Sequence, residues 1–233
     1  MRLYDLAAAD ERIRFSPYCW RIKLALAHKG LPVESVPWRF TDKAAIAPTG
    51  QGRVPVLVDG DRWLHDSWDI ALYLDRAHPD RPRLIAEGAA GGTWFMKHWT
   101  EASLHPVLLR LIVADIHGIL AAQDQDYFRT TREKALGRRL EEASPDRAAD
   151  CDLLHQALEP LRRTVAGQDF VAGSAPAFAD YIPFGTLQWV RCVTSHDLLA
   201  PDDPVSHWFT RMLDLYDGLG RRAPRPSPQG AKA

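Results

Sequence analysis

The sequence predicts two joined units, a small α/β unit followed by an all-helical one. Three observations carry that expectation. Short β-rich runs alternate with helical patterns through roughly the first 80 residues. The Pro79-Asp80-Arg81-Pro82 segment interrupts both patterns, and beyond the glycine-rich stretch 88–92 only the helical period persists.

Within the first unit, Leu3 to Leu6 reads as a short strand. Trp20 to Lys29 reads as a helix with Ile22, Ala25 and Leu26 on one face, Leu24 opposite and Gly30 as its stop, so it should be covered from two directions. Val33 to Trp38 alternates weakly as a second strand. Val54 to Val58 is an apolar run containing Pro55; Asp59-Gly60-Asp61 is turn chemistry, and Arg62 to Leu64 returns as the other arm of a hairpin. Ser67 stands where a helix carrying Trp68, Ala71, Leu72 and Tyr73 should be capped.

In the second unit, Phe95, Trp99, Ala102, Leu109, Ile112 and Ile116 form a helical stripe with Pro106 inside it, which predicts a kink. Ser144-Pro145 suits a helix start, and Cys151, Leu154, Leu158, Leu161 and Val165 continue one rhythm after it. Two more helices are expected at Ala177 to Val193 and His207 to Leu219. The expected division is 1–82 for the α/β unit and 90–223 for the helical unit, with 224–233 a disordered tail.

Composition narrows the function. Lys and Arg (29) almost balance Asp and Glu (30), giving a net charge of −1, so no basic excess points to nucleic acid. No uninterrupted apolar run approaches the ~20 residues that span a bilayer, and the acid-bearing start does not read as a signal peptide. Three scattered cysteines argue against a disulfide framework and for a reducing, cytoplasmic setting. The nine histidines share no metal-ligand spacing, so no metal is expected.

Three segments carry chemistry. Ser16-Pro17-Tyr18-Cys19-Trp20 lies between the first strand and the first helix, where unpaired N–H groups and the helix dipole favour an anion. A thiolate is such an anion, and the Ser16 hydroxyl is the candidate to stabilise it. Val54-Pro55 suits a cis bond before an edge strand, leaving backbone groups free to pair with a peptide. Asp66-Ser67 precedes a helix and suits the carboxylate and amine of an amino-acid end.

Ser16-Pro17-Tyr18-Cys19 resembles the Cys-Pro-Tyr-Cys of glutaredoxins with serine in place of the first cysteine. The order S-P-Y, V-P, acid-Ser resembles glutathione S-transferases. More narrowly, SPYCWRIKLALAHKGL (16–31), RVPVLVDGDRWLHDSWDIALYLD (53–75), FADY (178–181) and LYDGLGR (215–221) resemble bacterial glutathione-dependent β-etherases and the related fungal FuA transferases. The resemblance spans nearly the whole chain. It implies a thioredoxin-like N-terminal domain, an all-α C-terminal domain, glutathione as cosubstrate and a homodimer.

Carried onto this sequence, it implies that Ser16 polarises the glutathione thiol, Val54 beside Pro55 pairs with the cysteinyl unit, and Asp66 and Ser67 hold the γ-glutamyl end. Lys43, Gln51 and Arg53 are candidates for the glycyl carboxylate. Trp20, Trp94, Phe95, Trp99, His105 and Trp189 are candidates to line a pocket for a hydrophobic, aromatic electrophile, consumed by conjugation or by aryl ether cleavage. One departure from the family pattern is Ala177, where a Ser or Thr cap is usual. Another is Cys19, the sulfur that an alternative thiol–disulfide oxidoreductase would use; a non-catalytic ligand-binding module is the other alternative.

Overall fold

The computed structural model describes residues 1–226, so residues 227–233 of the expected tail lie outside the described residues. The first unit has strands β1 (Arg2–Leu6), β2 (Glu34–Trp38), β3 (Val56–Asp59) and β4 (Arg62–His65), with helices α1 (Pro17–His28) and α2 (Ser67–Ala77). The sheet order is β2-β1-β3-β4; β1 runs parallel to β2, with Leu6 opposite Trp38, and β3 is antiparallel to both β1 and β4. This β-α-β then β-β-α arrangement is the thioredoxin-like fold.

The helix α1 ends where the chain must turn left-handed: Gly30 follows the cap at φ +64, which costs glycine nothing. Ile22, Leu24, Ala25 and Leu26 are all completely buried, because α1 lies between the sheet and helices of the second unit. β3 starts at Val56 rather than Val54, since Pro55 has no N–H for the ladder and its bond to Val54 is cis. The cap of α2 is Asp66, not Ser67: the backbone turns at Asp66 (φ +66) and its carboxylate accepts from Trp68 N–H at 2.8 Å and Asp69 N–H at 3.4 Å.

The helical unit contains α3 (Ala90–Trp99), α4 (His105–Ile119), α5 (Ala122–Leu136), α6 (Arg147–Ala157), α7 (Glu159–Gly167), α8 (Phe178–Val193) and α9 (Pro204–Gly218). Pro106 does perturb its helix, but through a π-helical turn at Thr100–Leu104 that joins α3 to α4. The resulting 30-residue helical segment, Ala90–Ile119, is long and apolar enough by composition to cross a membrane, although Lys97, Glu101, Arg110 and Asp115 interrupt its apolar run. Its Leu104, Leu108, Ile112 and Val113 are completely buried against the rest of the domain.

The single helix expected after Ser144-Pro145 is two. Asp146 caps α6 by accepting from Ala149 N–H at 3.0 Å, while Ser144 donates to Asp150 at 2.8 Å. Pro160 then cannot continue the hydrogen-bond ladder, so α7 begins anew at Glu159. Helix α5 has a weak apolar stripe, and it was not separately expected. Helix α9 opens earlier than expected, at Pro204, with Asp203 as its cap, and leaves helical geometry at Leu215–Asp217. Ala177 supplies no side-chain cap to α8; Asp180 does so from inside, accepting from Ala177 N–H at 3.1 Å, Val171 N–H at 2.6 Å and Ala172 N–H at 3.2 Å.

Candidate active site

A cavity of about 430 Å³ opens between the two units. Its floor is the start of α1, with the cap Ser16 followed by Pro17 and Tyr18; one rim is Gly52, Arg53 and Val54. The opposite wall is helical, with His105, Pro106, Leu109 and Ile116 from α4 and Trp189 from α8. Phe15, Trp38 and Phe40 meet Tyr127, Phe128 and Arg132 of α5 at the far end.

Ser16 is almost completely buried and caps α1, accepting from Cys19 N–H at 3.2 Å. One lone pair is thereby engaged, and the hydroxyl, which borders the cavity, has no second hydrogen bond to a nitrogen or oxygen among the described residues. Tyr18 is committed elsewhere. Its hydroxyl lies 3.3 Å from His105 Nδ1, and His105 Nε2 lies 2.8 Å from Thr186 Oγ1. Thr186 spends its own proton on the Ile182 carbonyl (3.3 Å), so its oxygen accepts from His105 Nε2–H, and Nδ1 in turn accepts from Tyr18. Burial, reinforced by the nearby Arg21 cation, pulls the His105 pKa down to about 3, while burial raises that of Tyr18. Both therefore stay neutral near pH 7 and act as fixed hydrogen-bonding walls.

Beneath Tyr18 runs an ion pair that joins the domains. Arg21 of α1 is fully buried, donates to Glu101 at 2.7 Å and to Ser67 Oγ at 3.5 Å, and stacks 4.6 Å from the Tyr18 ring. Glu101 also accepts from Lys97 at 2.9 Å. Burial alone would raise the Glu101 pKa; the hydrogen bonds from Arg21 and Lys97 outweigh it and hold the carboxyl below its ordinary value. Helix α5 is tied over the cavity in a similar way, as buried Asp124 accepts from Phe40 N–H, Thr41 N–H and Thr41 Oγ1 at 3.2, 3.0 and 2.8 Å.

Comparison with known proteins gives this arrangement a family. The family described as "Glutathione S-transferase, C-terminal domain" matches residues 93–209, and "Glutathione S-transferase, N-terminal domain" matches residues 12–82. The chain belongs to the glutathione S-transferase family. Glutathione S-transferase 4 of Zea mays is 27% identical over 199 residues, covering 83% of this chain and 82% of that protein. Among solved structures, glutathione transferase GSTFuA3 from Phanerochaete chrysosporium is 27% identical with a TM-score of 0.74, covering 93% of this chain and 91% of that one. The glutathione S-transferase CsGST63524 of Ceriporiopsis subvermispora, solved in complex with glutathione, shares the fold at 23% identity and a TM-score of 0.78, covering 93% and 96%. The fungal FuA resemblance read from the sequence thus has structural counterparts.

Of the residues singled out in the sequence of this glutathione S-transferase family member, Ser16, Arg53, Val54, His105 and Trp189 line the cavity. The backbone of Val54 lies just before β3 enters the sheet, so it takes no part in strand pairing. Asp66 and Ser67 stand at the start of α2; the Asp66 carboxylate is exposed, whereas Ser67 is buried on Arg21. Gln51 is turned back on its own loop, donating to the Arg53 carbonyl at 2.8 Å and accepting from Arg53 N–H at 2.6 Å. Lys43 is exposed and sets its Nζ over the Tyr127 ring at 4.8 Å. Among the three candidates for a carboxylate, Arg53 is the one on the cavity rim.

The aromatic candidates separate. Trp20 is buried under the loop, where its Nε1–H donates to the Arg14 carbonyl at 2.8 Å. Trp94 and Phe95 are 43% and 69% exposed on α3, away from the cavity, and Trp99 is half-buried outside its lining. Helical spacing placed them on a face without saying which neighbour that face meets. The residues sequence reasoning missed are Phe40, Tyr127, Phe128 and Arg132, whose signal was an aromatic pair followed by Arg132 four residues after Phe128 in an otherwise polar helix. Cys19 is also removed from the cavity. Its thiol is completely buried and lies 3.8 Å from the Tyr4 carbonyl, and burial, then the Asp5 charge, pushes its pKa well up. A protonated sulfur facing the sheet cannot attack a disulfide.

Proposed function

We propose that this protein ionises the thiol of glutathione at Ser16 and directs the thiolate at an aromatic electrophile held in the interdomain cavity. The observation that carries the reading is the Ser16 hydroxyl on the cavity floor at the start of α1, its oxygen accepting from Cys19 N–H. A donated hydrogen bond and the helix dipole both favour the thiolate over the thiol. Val54, with its backbone outside the sheet pairing, suits the cysteinyl unit in β-fashion, Arg53 suits the glycyl carboxylate, and Asp66 with Ser67 suits the γ-glutamyl end. The other end of the cavity, walled by Phe15, Trp38, Phe40, Tyr127 and Phe128, suits an aromatic acceptor.

The chemistry is a displacement: the sulfur–carbon bond forms as the bond to the leaving group breaks, and the leaving group departs with its electron pair. A halide or the phenolate of a β-aryl ether can leave in this way, which keeps the β-etherase type of activity within the reading. Exposed Trp94, Phe95 and the adjoining Trp68, whose ring centroid is 4.7 Å from that of Trp94, suit a second copy of the chain, and a cytoplasmic homodimer is part of the proposal.

The test is calorimetry of the purified protein with reduced glutathione, run beside conjugation of an aryl halide. Binding with turnover supports the transferase reading. Binding without turnover on aryl halides or aryl ethers supports a carrier instead, and no binding refutes both.

A further inference from the structure

Arg132, at the aromatic end of the cavity, is a cation without a counter-ion among the described residues. Its guanidinium carbon lies 4.9 Å from the Phe128 ring centroid and 5.7 Å from that of Phe40. Among the described residues its one hydrogen bond is from Nη1 to Thr131 Oγ1 at 3.1 Å. No ion pair among the described residues includes it, whereas the completely buried Arg21 and Lys29 are paired with Glu101 and Asp75, and half-buried Arg191 has backbone carbonyls for its donors. Burial lowers its pKa, and the ionisable neighbour that opposes this is Tyr127. Stacking on two rings stabilises a cation there but leaves the Nε and Nη2 donors of a planar fork without a protein acceptor. A fork of that shape matches a carboxylate.

Resting on the glutathione-dependent displacement above, we propose that Arg132 sets acceptor specificity by binding a carboxylate on the aromatic electrophile. The glycyl carboxylate of glutathione has the same chemistry. It has its own cation in Arg53, which borders the cavity beside Val54, while Arg132 sits on α5 among Phe40, Tyr127 and Phe128. The aromatic ring of an acceptor would lie along these walls with its acid group at the guanidinium.

The experiment compares 4-chloro-3-nitrobenzoate with its methyl ester as acceptors for the wild-type protein, Arg132→Met and Arg132→Lys. In each case the thiolate attacks the carbon bearing chlorine, the carbon–sulfur bond forms and chloride leaves with the bonding pair. Arg132→Met should raise KM for the acid about 10- to 100-fold, the range for losing a charge-assisted pair of hydrogen bonds. KM for the ester and for glutathione should stay within about twofold, and Arg132→Lys should recover part of the loss for the acid. Equal effects on acid and ester would overturn the proposal and leave Arg132 as packing. A raised KM for glutathione would overturn it in favour of the glycyl carboxylate. Should wild type turn over neither these acceptors nor aryl ethers, the displacement reading fails on its own. Calorimetry then decides Arg132 directly: the variant must weaken the acid and leave the ester alone, or the proposal falls.

Discussion

Gly185 of α8 packs directly on Pro17 of α1: a Cβ at 185 would fall inside van der Waals contact of the Pro17 carbonyl oxygen, 3.3 Å from its carbon and 3.4 Å from Arg21 Cγ. The neighbour is backbone and cannot yield as a flexible side chain can. The close crossing of α8 over α1 therefore fixes the loop that carries Ser16, and it does so from the other domain. Gly185→Ala should lower stability by about 2 kcal/mol, a Tm drop of roughly 5 °C, and should also raise KM for glutathione by displacing Ser16. A thermal melt unchanged from wild type would show that the crossing is looser than the structure has it.

The ion pair of Arg21 with Glu101 gives a second expectation. Glu101→Gln leaves the Arg21 guanidinium, which is completely buried, without its anion. Removing one partner of such a pair costs about 3 kcal/mol, so chemical denaturation should show a loss of that order. The pH dependence has a definite sign. The folded-state pKa of Glu101 is lowered, so its contribution is fully present above the unfolded value and is lost as pH falls through the folded one. Wild-type stability should therefore decline in acid below the ordinary glutamate range, and the Glu101→Gln protein should lack that part of the decline. Identical acid profiles would contradict the assignment.

Cys19→Ala removes the sulfur on which thiol–disulfide chemistry would depend. Since that sulfur faces the Tyr4 carbonyl rather than the cavity, conjugation should stay within about twofold of wild type, with stability lower by roughly 1 kcal/mol. Loss of activity in a folded variant would return the cysteine to the mechanism.

The contrast between legible and illegible parts of this molecule is physical. Ser16-Pro17 and Val54-Pro55 were readable because proline and capping chemistry act within a few residues. The same locality left Asp66 and Ser67 hard to separate: either can cap α2, and the left-handed backbone at Asp66 decided between them. Pro160 was similarly visible in the sequence, but its break was masked by the continuous rhythm of Leu154, Leu158, Leu161 and Val165. Phe95 and Trp189 both sit at helical spacings, yet one is exposed and the other lines the cavity, a difference fixed by where whole helices pack. Arg132 was invisible for the same reason: its meaning depends on Phe40, 92 residues earlier, being brought beside it by the tie from Asp124 to the loop after β2.

Whether Ser16 favours the thiolate of bound glutathione is read directly by titrating ultraviolet thiolate absorbance in the glutathione complexes of wild type and Ser16→Ala. A free thiol titrates near ~8.5. The wild-type complex should titrate below that value and the Ser16→Ala complex should move back toward it, with conjugation falling roughly 10²-fold and glutathione affinity changing little. Coincident titration curves for the two complexes would contradict the account.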